Sequence, residues 1–172
     1  GRTVEKPPVT EPARSEPSTA TTDLGGELRE AFGYDALGFD LAALRNVSYE
    51  QCKRECVSDA SCRALTYNTR YDACFLKSKA LILVRNGDAA TAYDSRLAAD
   101  LLITDFSVYA NTDAPGGDYL RLRDADFVGC TVACMKDSQC RAFAYVKKTH
   151  DCWLKDRIGA IRDMQGVEFG IK

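Results

Sequence analysis

The stretch Cys52–Lys77 reads CKRECVSDASCRALTYNTRYDACFLK, and its pattern returns at Cys130–Lys155 as CTVACMKDSQCRAFAYVKKTHDCWLK. Both copies keep the cysteine spacing C-x3-C-x5-C-x11-C, and each cysteine of the second copy follows its counterpart by 78 residues. Other positions are identical at the same offset: Asp59/Asp137, Arg63/Arg141, Ala64/Ala142, Tyr67/Tyr145, Leu76/Leu154 and Lys77/Lys155. An internal repeat of this quality divides the chain into two homologous modules.

All eight cysteines of the 172-residue chain lie in these two repeats, four in each. An even number at repeated spacing is typical of a disulfide framework, because a small module buries only a limited core. Zinc held by four thiolates per module is the alternative. Structural zinc sites bring their ligands in close pairs, however, and the single histidine, His150, has Asp72 as its counterpart. We therefore expect two disulfides per module in an oxidising compartment, with three pairings open in each.

Charge and hydropathy argue against two classes of partner. The formal net charge is -2, whereas a nucleic-acid-binding surface is normally strongly basic. No run of 18 apolar residues occurs, so we expect no direct insertion into a membrane. The sequence does not start with Met and opens without a signal segment, which predicts that it is part of a larger polypeptide.

Composition also predicts where the modules begin. Residues 1–23 hold four of the five prolines among Thr, Ser, Glu and Ala, without apolar periodicity. Such a segment cannot bury enough surface to offset the entropy of ordering, which predicts a disordered linker. The two modules are then expected at residues 24–98 and 99–172.

One helix is expected in each module. Ser48 followed by Gln51 matches a capping box and predicts a helix that carries Cys52 and Cys56 on a single face. Asp126 predicts the N-cap of the second helix.

Strands and turns are predicted around these helices. Alternation at Arg63–Asn68 indicates a strand with Arg63, Leu65 and Tyr67 on one face, and Ala64 and Thr66 on the other. Further strands are predicted at Cys74–Lys77, Leu81–Val84, Ile103–Tyr109, Arg141–Tyr145, Cys152–Lys155 and Val167–Ile171, the last taken as the counterpart of Ala92–Leu97. Turns are predicted at Asn86–Asp88 and Asn111–Asp118.

These motifs together resemble the PAN/apple family. The resemblance lies in a helix with C-x3-C, then C-R-A-(F/L)-x-Y and C-(F/W)-L-K, and it covers about residues 28–97 and 101–172. The second copy, with P-G-G-D-Y-L ahead of its helix, is similar to PAN modules of bacterial extracytoplasmic proteins. The resemblance implies an α+β fold of two tandem modules, each a small antiparallel sheet with one helix packed on it. It also implies the disulfides Cys52–Cys74, Cys56–Cys62, Cys130–Cys152 and Cys134–Cys140.

No catalytic constellation is evident in the sequence. Disulfide pairing consumes every thiol, and no nucleophile can be assigned to His150. Neither a P-loop nor a dinucleotide fingerprint occurs. Asn111–Asp118 contains oxygen ligands but lacks the spacing of a calcium loop and is better explained as a turn. We expect no enzyme activity, no cofactor and no metal.

Ligand contacts are predicted in the loops. Arg63, Tyr67 and Lys77 recur in the second copy, but a shared fold explains that recurrence as well as a shared ligand does. Trp153 is expected in the core. The two eleven-residue gaps between the third and fourth cysteines differ between the copies, and loops on a rigid scaffold usually carry specificity. The predicted ligand-binding residues are Arg70, Tyr71, Lys147, Lys148 and His150.

The resemblance implies a non-catalytic pair of binding modules outside the cytoplasm, secreted, periplasmic or at the cell surface. Such a pair recognises a protein or a carbohydrate as an accessory region of a larger bacterial protein. The alternative is a structural spacer or regulatory region without a ligand of its own, attached to a peptidase-like or macroglobulin-like protein.

Overall fold

The computed structural model describes residues 27–172, so the linker predicted at residues 1–23 lies outside the described residues. In the described part, two helices pack on a ten-stranded, mostly antiparallel sheet. The first module consists of β1 (Leu28–Ala36), β2 (Asp40–Arg45), α1 (Tyr49–Ser58), β3 (Ala64–Asn68), β4 (Ala73–Lys77) and β5 (Ile82–Asp94). The second consists of β6 (Leu102–Asp113), β7 (Asp118–Leu122), α2 (Phe127–Lys136), β8 (Ala142–Val146), β9 (Asp151–Lys155) and β10 (Arg162–Ile171).

Both helices begin where the capping residues predict. The Ser48 side chain accepts a hydrogen bond from the backbone N–H of Gln51, and Asp126 accepts one from Gly129. Each cap satisfies one of the backbone donors that the first turn of a helix leaves without an intrahelical partner. Cys52 and Cys56 are both fully buried, which confirms that they share the face turned to the sheet.

Two disulfides in each module join the helix to its surroundings. Cys52–Cys74 and Cys130–Cys152 tie the first turns of α1 and α2 to β4 and β9, with a sequence separation of 22 residues. Cys56–Cys62 and Cys134–Cys140 close the turns after the helices, with a separation of six. The pairing is the one that the family resemblance implies.

The strand order repeats from one module to the next. The first module runs β2-β4-β3-β5-β1 and the second runs β7-β9-β8-β10-β6, with every neighbouring pair within a module antiparallel. Both faces of β3 are buried. Leu65 and Tyr67 pack with α1, whereas Ala64 packs on the other face with Leu83 and Tyr93. The alternation predicted for β3 is therefore correct in phase, but no face of this strand is left to solvent.

The turn predicted at Asn86–Asp88 is wrong. These residues lie inside the 13-residue strand β5 and form an irregularity in it. Phe32 pairs with Ala90 and Tyr34 with Arg85, so four residues of β5, 86–89, lie opposite the single Gly33 of β1. Turn-forming residues inside a strand often mark such a bulge.

Two further boundaries differ from the predictions. The strand β6 continues to Asp113, so only residues 114–117 of the segment Asn111–Asp118 form the turn. The counterpart of Val167–Ile171 at the 78-residue offset is 89–93, not Ala92–Leu97, because β5 ends at Asp94 and Ser95–Leu97 form a 3-10 helix.

The modules are joined by strand pairing as well as by the chain. The start of β5 pairs in parallel with β6, with Ile82 opposite Leu102 and Leu83 opposite Ile103. Across this seam, the buried first-module residues Leu37, Ile82 and Val84 belong to the same apolar cluster as the second-module residues Phe106, Phe143 and the cysteines of α2. The two modules therefore share a core and behave as one body.

Removing the longer disulfide should cost more than removing the shorter one. Loop-closure entropy gives about 3.4 kcal/mol for the 22-residue separation of Cys52 and Cys74 and about 2.2 kcal/mol for the six-residue separation of Cys56 and Cys62. Urea denaturation of the two double Cys→Ala variants measures the difference. Equal losses would contradict the entropic account.

Phe106→Ala should lower the free energy of unfolding by about 3–5 kcal/mol, because it empties part of the shared core. The matched control is Tyr109→Ala on the same strand, whose side chain is exposed and whose loss should cost less than about 0.5 kcal/mol. Unfolding followed by Trp153 fluorescence and by far-UV circular dichroism should remain one transition. Two separated transitions in the wild type would show that the core is not shared.

Candidate functional site

The predicted ligand residues lie in two hairpin turns at opposite ends of the sheet. The first turn joins β3 to β4 and carries Arg70 and Tyr71, and the second joins β8 to β9 and carries Lys147, Lys148 and His150. Because β3 is antiparallel to β5, β5 is parallel to β6, and β8 runs in the direction of β6, the strands β3 and β8 point in opposite directions. The structure therefore does not bring the two groups together.

In the first turn, Asn68 organises the backbone. Its Oδ1 accepts hydrogen bonds from the backbone N–H groups of Arg70 and Tyr71, at 3.0 and 3.1 Å. The Tyr71 ring is 63% exposed, and the Arg70 guanidinium lies 5.5 Å from its centroid. These two side chains remain open to contact from outside.

In the second turn, two of the predicted residues are engaged within the protein. Lys147 Nζ lies 2.6 Å from Glu168 Oε1. His150 Nδ1 lies 3.0 Å from the hydroxyl of Tyr145, which also donates to the carbonyl of Ala125. The exposed Lys148 completes the turn.

The contact of His150 has a counterpart in the first module. There the Tyr67 hydroxyl lies 2.8 Å from the Val47 carbonyl and 2.9 Å from Asp72 Oδ1. Asp72 and His150 occupy the same position, and both have positive φ. Each links the hairpin turn to the segment that precedes the helix, so the geometry gives His150 a structural contact.

The recurring lysines are structural as well. Lys77 is 3% exposed and its Nζ donates to the Gly38 carbonyl and to Asp40 Oδ1. Lys155 is equally buried and makes the matching contacts with Gly116 and Asp118. A buried ammonium group needs such partners, and here they fix the turn between the first two strands of each module.

Trp153 packs in the second module's apolar cluster, and one of its faces is covered by Arg121, whose guanidinium lies 5.0 Å from the ring centroid. Arg121 in turn forms an ion pair with Asp151. The same ion pair lowers the pKa of the Asp151 carboxyl. The ring is therefore half-buried core rather than an open platform.

A cleft of about 200 Å³ opens on the first module. It lies over β3, β4 and the bulge of β5, beside the turn that leads into β2. Its walls are Asp35, Ala36, Leu37, Gly38, Asp40, Thr66, Asn68, Phe75, Lys77, Asn86 and Ala89.

Asp35 is the carboxylate of this cleft that lacks an ion-pair partner within 4 Å among residues 27–172. Lys77, the nearest cation in the lining, donates instead to Asp40 and Gly38. Burial raises the pKa of the Asp35 carboxyl above its usual range, and attraction to the Lys77 charge and a hydrogen bond with Thr66 offset this only in part.

The same place in the second module is filled by apolar side chains. Val146 stands where the first module has Asn68, and Met164 stands where it has Asn86. These two side chains pack against a cluster that contains Ala142, Ala144, Trp153, Val167 and Phe169. The duplicated scaffold therefore carries a polar cleft in one copy and apolar, partly buried side chains at the equivalent positions of the other.

The carboxylate that corresponds to Asp35 is also engaged. Asp113 Oδ1 accepts a hydrogen bond from the Ala114 N–H at 2.8 Å and lies 3.9 Å from Lys155 Nζ. Within residues 27–172, no three His, Cys, Asp or Glu side chains are grouped as metal ligands would be.

Sequence reasoning missed Asp35, Asn68 and Asn86. The available signal was the exchange of Asn68 for Val146 and of Asn86 for Met164 at positions that the repeat aligns. The turn preference of Asn86 and Gly87 hides that signal, because it argues against placing these residues in a strand.

Disulfide-linked α+β modules with this strand order define a class of small domains that are generally non-catalytic. Two family models described as PAN domain match the chain, one over residues 29–96 and the other over residues 112–155. The chain belongs to the PAN domain family and contains two copies of the domain.

Among solved structures, the chain is similar to the two N-terminal apple domains of Toxoplasma gondii microneme protein 4. The identity is 22%, the alignment covers 81% of this chain and 86% of that one, and the TM-score is 0.34. No curated protein matches the sequence. None of the helices in residues 27–172 is long and apolar enough to cross a membrane.

Asp35→Asn should stabilise the protein at pH 7 and leave its stability unchanged near pH 3. Burial holds the folded-state pKa of Asp35 above the unfolded value of about 3.9, so wild-type stability falls as the pH rises from there through the raised pKa. Asn does not titrate, so the difference in the free energy of unfolding between variant and wild type should grow as the pH rises from about 3.9 through the raised pKa of Asp35. Urea denaturation between pH 3 and pH 8 measures it.

The matched control is Asp100→Asn, which neutralises an exposed carboxylate. The raised pKa of Asp35 would be contradicted if Asp100→Asn stabilised the protein by the same amount. It would also be contradicted if the stabilisation by Asp35→Asn became smaller as the pH rises.

Proposed function

We propose that the chain is a non-catalytic binding region that recognises a protein or carbohydrate ligand through the cleft of its first module. It acts in an extracytoplasmic compartment, secreted, periplasmic or at a cell surface, as an accessory region of a larger bacterial polypeptide. Its modules correspond to residues 24–98 and 99–172.

The observation that carries this proposal is the difference between the two copies. A duplicated scaffold that needs only stability gains from burying apolar side chains, as Val146 and Met164 do in the second module. The first module instead keeps Asn68 and Asn86 in a concave site, beside the Asp35 carboxylate, which has no ion-pair partner within 4 Å among residues 27–172. Concave sites with a few converging polar groups are where ligands usually bind.

The turn residues have a secondary role in this proposal. Arg70 and Tyr71 adjoin the cleft through Asn68, which both holds their backbone and lines the cleft. Lys147, Lys148 and His150 lie at the other end of the rigid pair, so they would contact a different part of a large ligand or a different ligand. Avidity from both turns would require a ligand that reaches around the sheet.

The second candidate is a structural spacer or regulatory region without a ligand, attached to a peptidase-like or macroglobulin-like protein. The shared core favours this second candidate. The pairing of β5 with β6 and the apolar cluster common to both modules hold the modules at a fixed distance and angle.

Screening the intact chain against a broad glycan array and a panel of purified extracellular proteins separates the two candidates. The binding proposal predicts saturable, reversible binding with a Kd between about micromolar and millimolar and no turnover of the bound ligand. If the chain shows saturable binding neither to the glycan array nor to the protein panel, the structural spacer is favoured. Conversion of the ligand would overturn the non-catalytic assignment.

A further inference from the structure

The orientation of two amide groups limits what the cleft can bind. Asn68 Oδ1 is occupied by the N–H groups of the first turn, and Asn86 Oδ1 accepts from the N–H of Asp88 at 3.0 Å. Each side chain therefore has its NH2 group left, and neither nitrogen donates to a protein group within residues 27–172. Two half-buried amides thus offer hydrogen-bond donors to a ligand.

Asp35 provides the complementary acceptor. Its carboxylate lines the cleft without an ion-pair partner in the described part of the chain, and its oxygens can accept hydrogen bonds from a ligand. A group that must accept from two amides and donate to a carboxylate is served by hydroxyls, because a hydroxyl does both.

The charges around the cleft favour a neutral ligand. The lining holds two carboxylates, Asp35 and Asp40, and one cation, Lys77, which binds Asp40. An anionic ligand would meet this excess of negative charge, and a cationic ligand would meet the Lys77 charge that already acts on the Asp35 carboxylate. Either charged ligand would also lose its own hydration on entering a half-buried site.

Size and backbone pairing favour a compact ring over an extended peptide. About 200 Å³ holds one six-membered ring with its hydroxyls, and Phe75 contributes an apolar side chain to the lining. An extended peptide would need a free strand edge, but β3 and β4 are hydrogen-bonded on both sides.

We propose that the first-module cleft binds a single neutral sugar residue through Asp35 and the amide nitrogens of Asn68 and Asn86. This inference rests on the proposed binding function and narrows it to one ligand class at one site. In the second module, Val146 and Met164 occupy the positions of Asn68 and Asn86, so the two amide donors are missing there.

The test uses the intact, isotopically labelled chain and methyl glycosides of neutral hexoses, with glucuronate and a Gly-Ser peptide as comparison ligands. We expect a Kd on the order of millimolar for at least one neutral hexoside. The side-chain NH2 resonances of Asn68 and Asn86 should shift in a saturable way. Shifts confined to the Lys147–His150 turn, or stronger binding of glucuronate or the peptide, would overturn the inference.

The variant Asn68→Val/Asn86→Met converts the cleft into its second-module form with residues that the scaffold already accommodates. It should weaken hexoside binding at least tenfold. The matched control is Gln165→Met, the same change from amide to thioether at an exposed position in the corresponding bulge of the second module, and it should bind as the wild type does. Asp35→Leu is a second variant that should also lose binding, should the double variant fail to fold.

The outcomes distinguish the inference from the proposed function. If the wild type binds a protein or glycan in the screen above but the double variant and Asp35→Leu bind it equally well, the cleft assignment fails and the binding function stands. If the wild type binds nothing in either experiment, the binding function itself fails.

Discussion

A disulfide between the first turn of each helix and the fourth strand of its module holds the helix against the sheet. Cys52–Cys74 and Cys130–Cys152 are buried at the centre of the apolar clusters, where the hydroxyls of Tyr67 and Tyr145 bind the segments that precede the helices. Around this fixed contact, the turns, the buried lysines and the bulged strands recur in both modules. Residues away from it are free to differ. The cleft combines recurring residues such as Asp40 and Lys77 with Asn68 and Asn86, which differ between the copies.

Much of the fold follows from local patterns. The cysteine spacing, the caps Ser48 and Asp126, and the repeat itself predict the helices, the strands of the hairpins and the number of modules, since these signals act within a few residues. The continuation of β5 through Asn86–Asp88 was not predictable in the same way. There Asn86 to Asp88 bulge out of the strand, and β5 pairs with β1 on both sides of the bulge.

The shared core and the cleft depend on contacts between distant segments. The apolar side chains of the first module that complete the shared core are Leu37, Ile82 and Val84, and their partners lie in the second module. Local sequence patterns do not predict such contacts between distant segments. Asp35 and Asn86 are about fifty residues apart in the chain and meet only because β1 and β5 pair. The boundaries at 24–98 and 99–172 and the ligand role of the turns stay predictions.

Gly38 of the first module lies against α2 of the second. A Cβ atom at this residue would lie 2.8 Å from Val128 Cγ2, and the positive φ of the residue already disfavours any other amino acid. An added methyl group would push Val128, and with it α2, away from the first module. The close approach of the two modules at this point therefore depends on the absence of a side chain at Gly38.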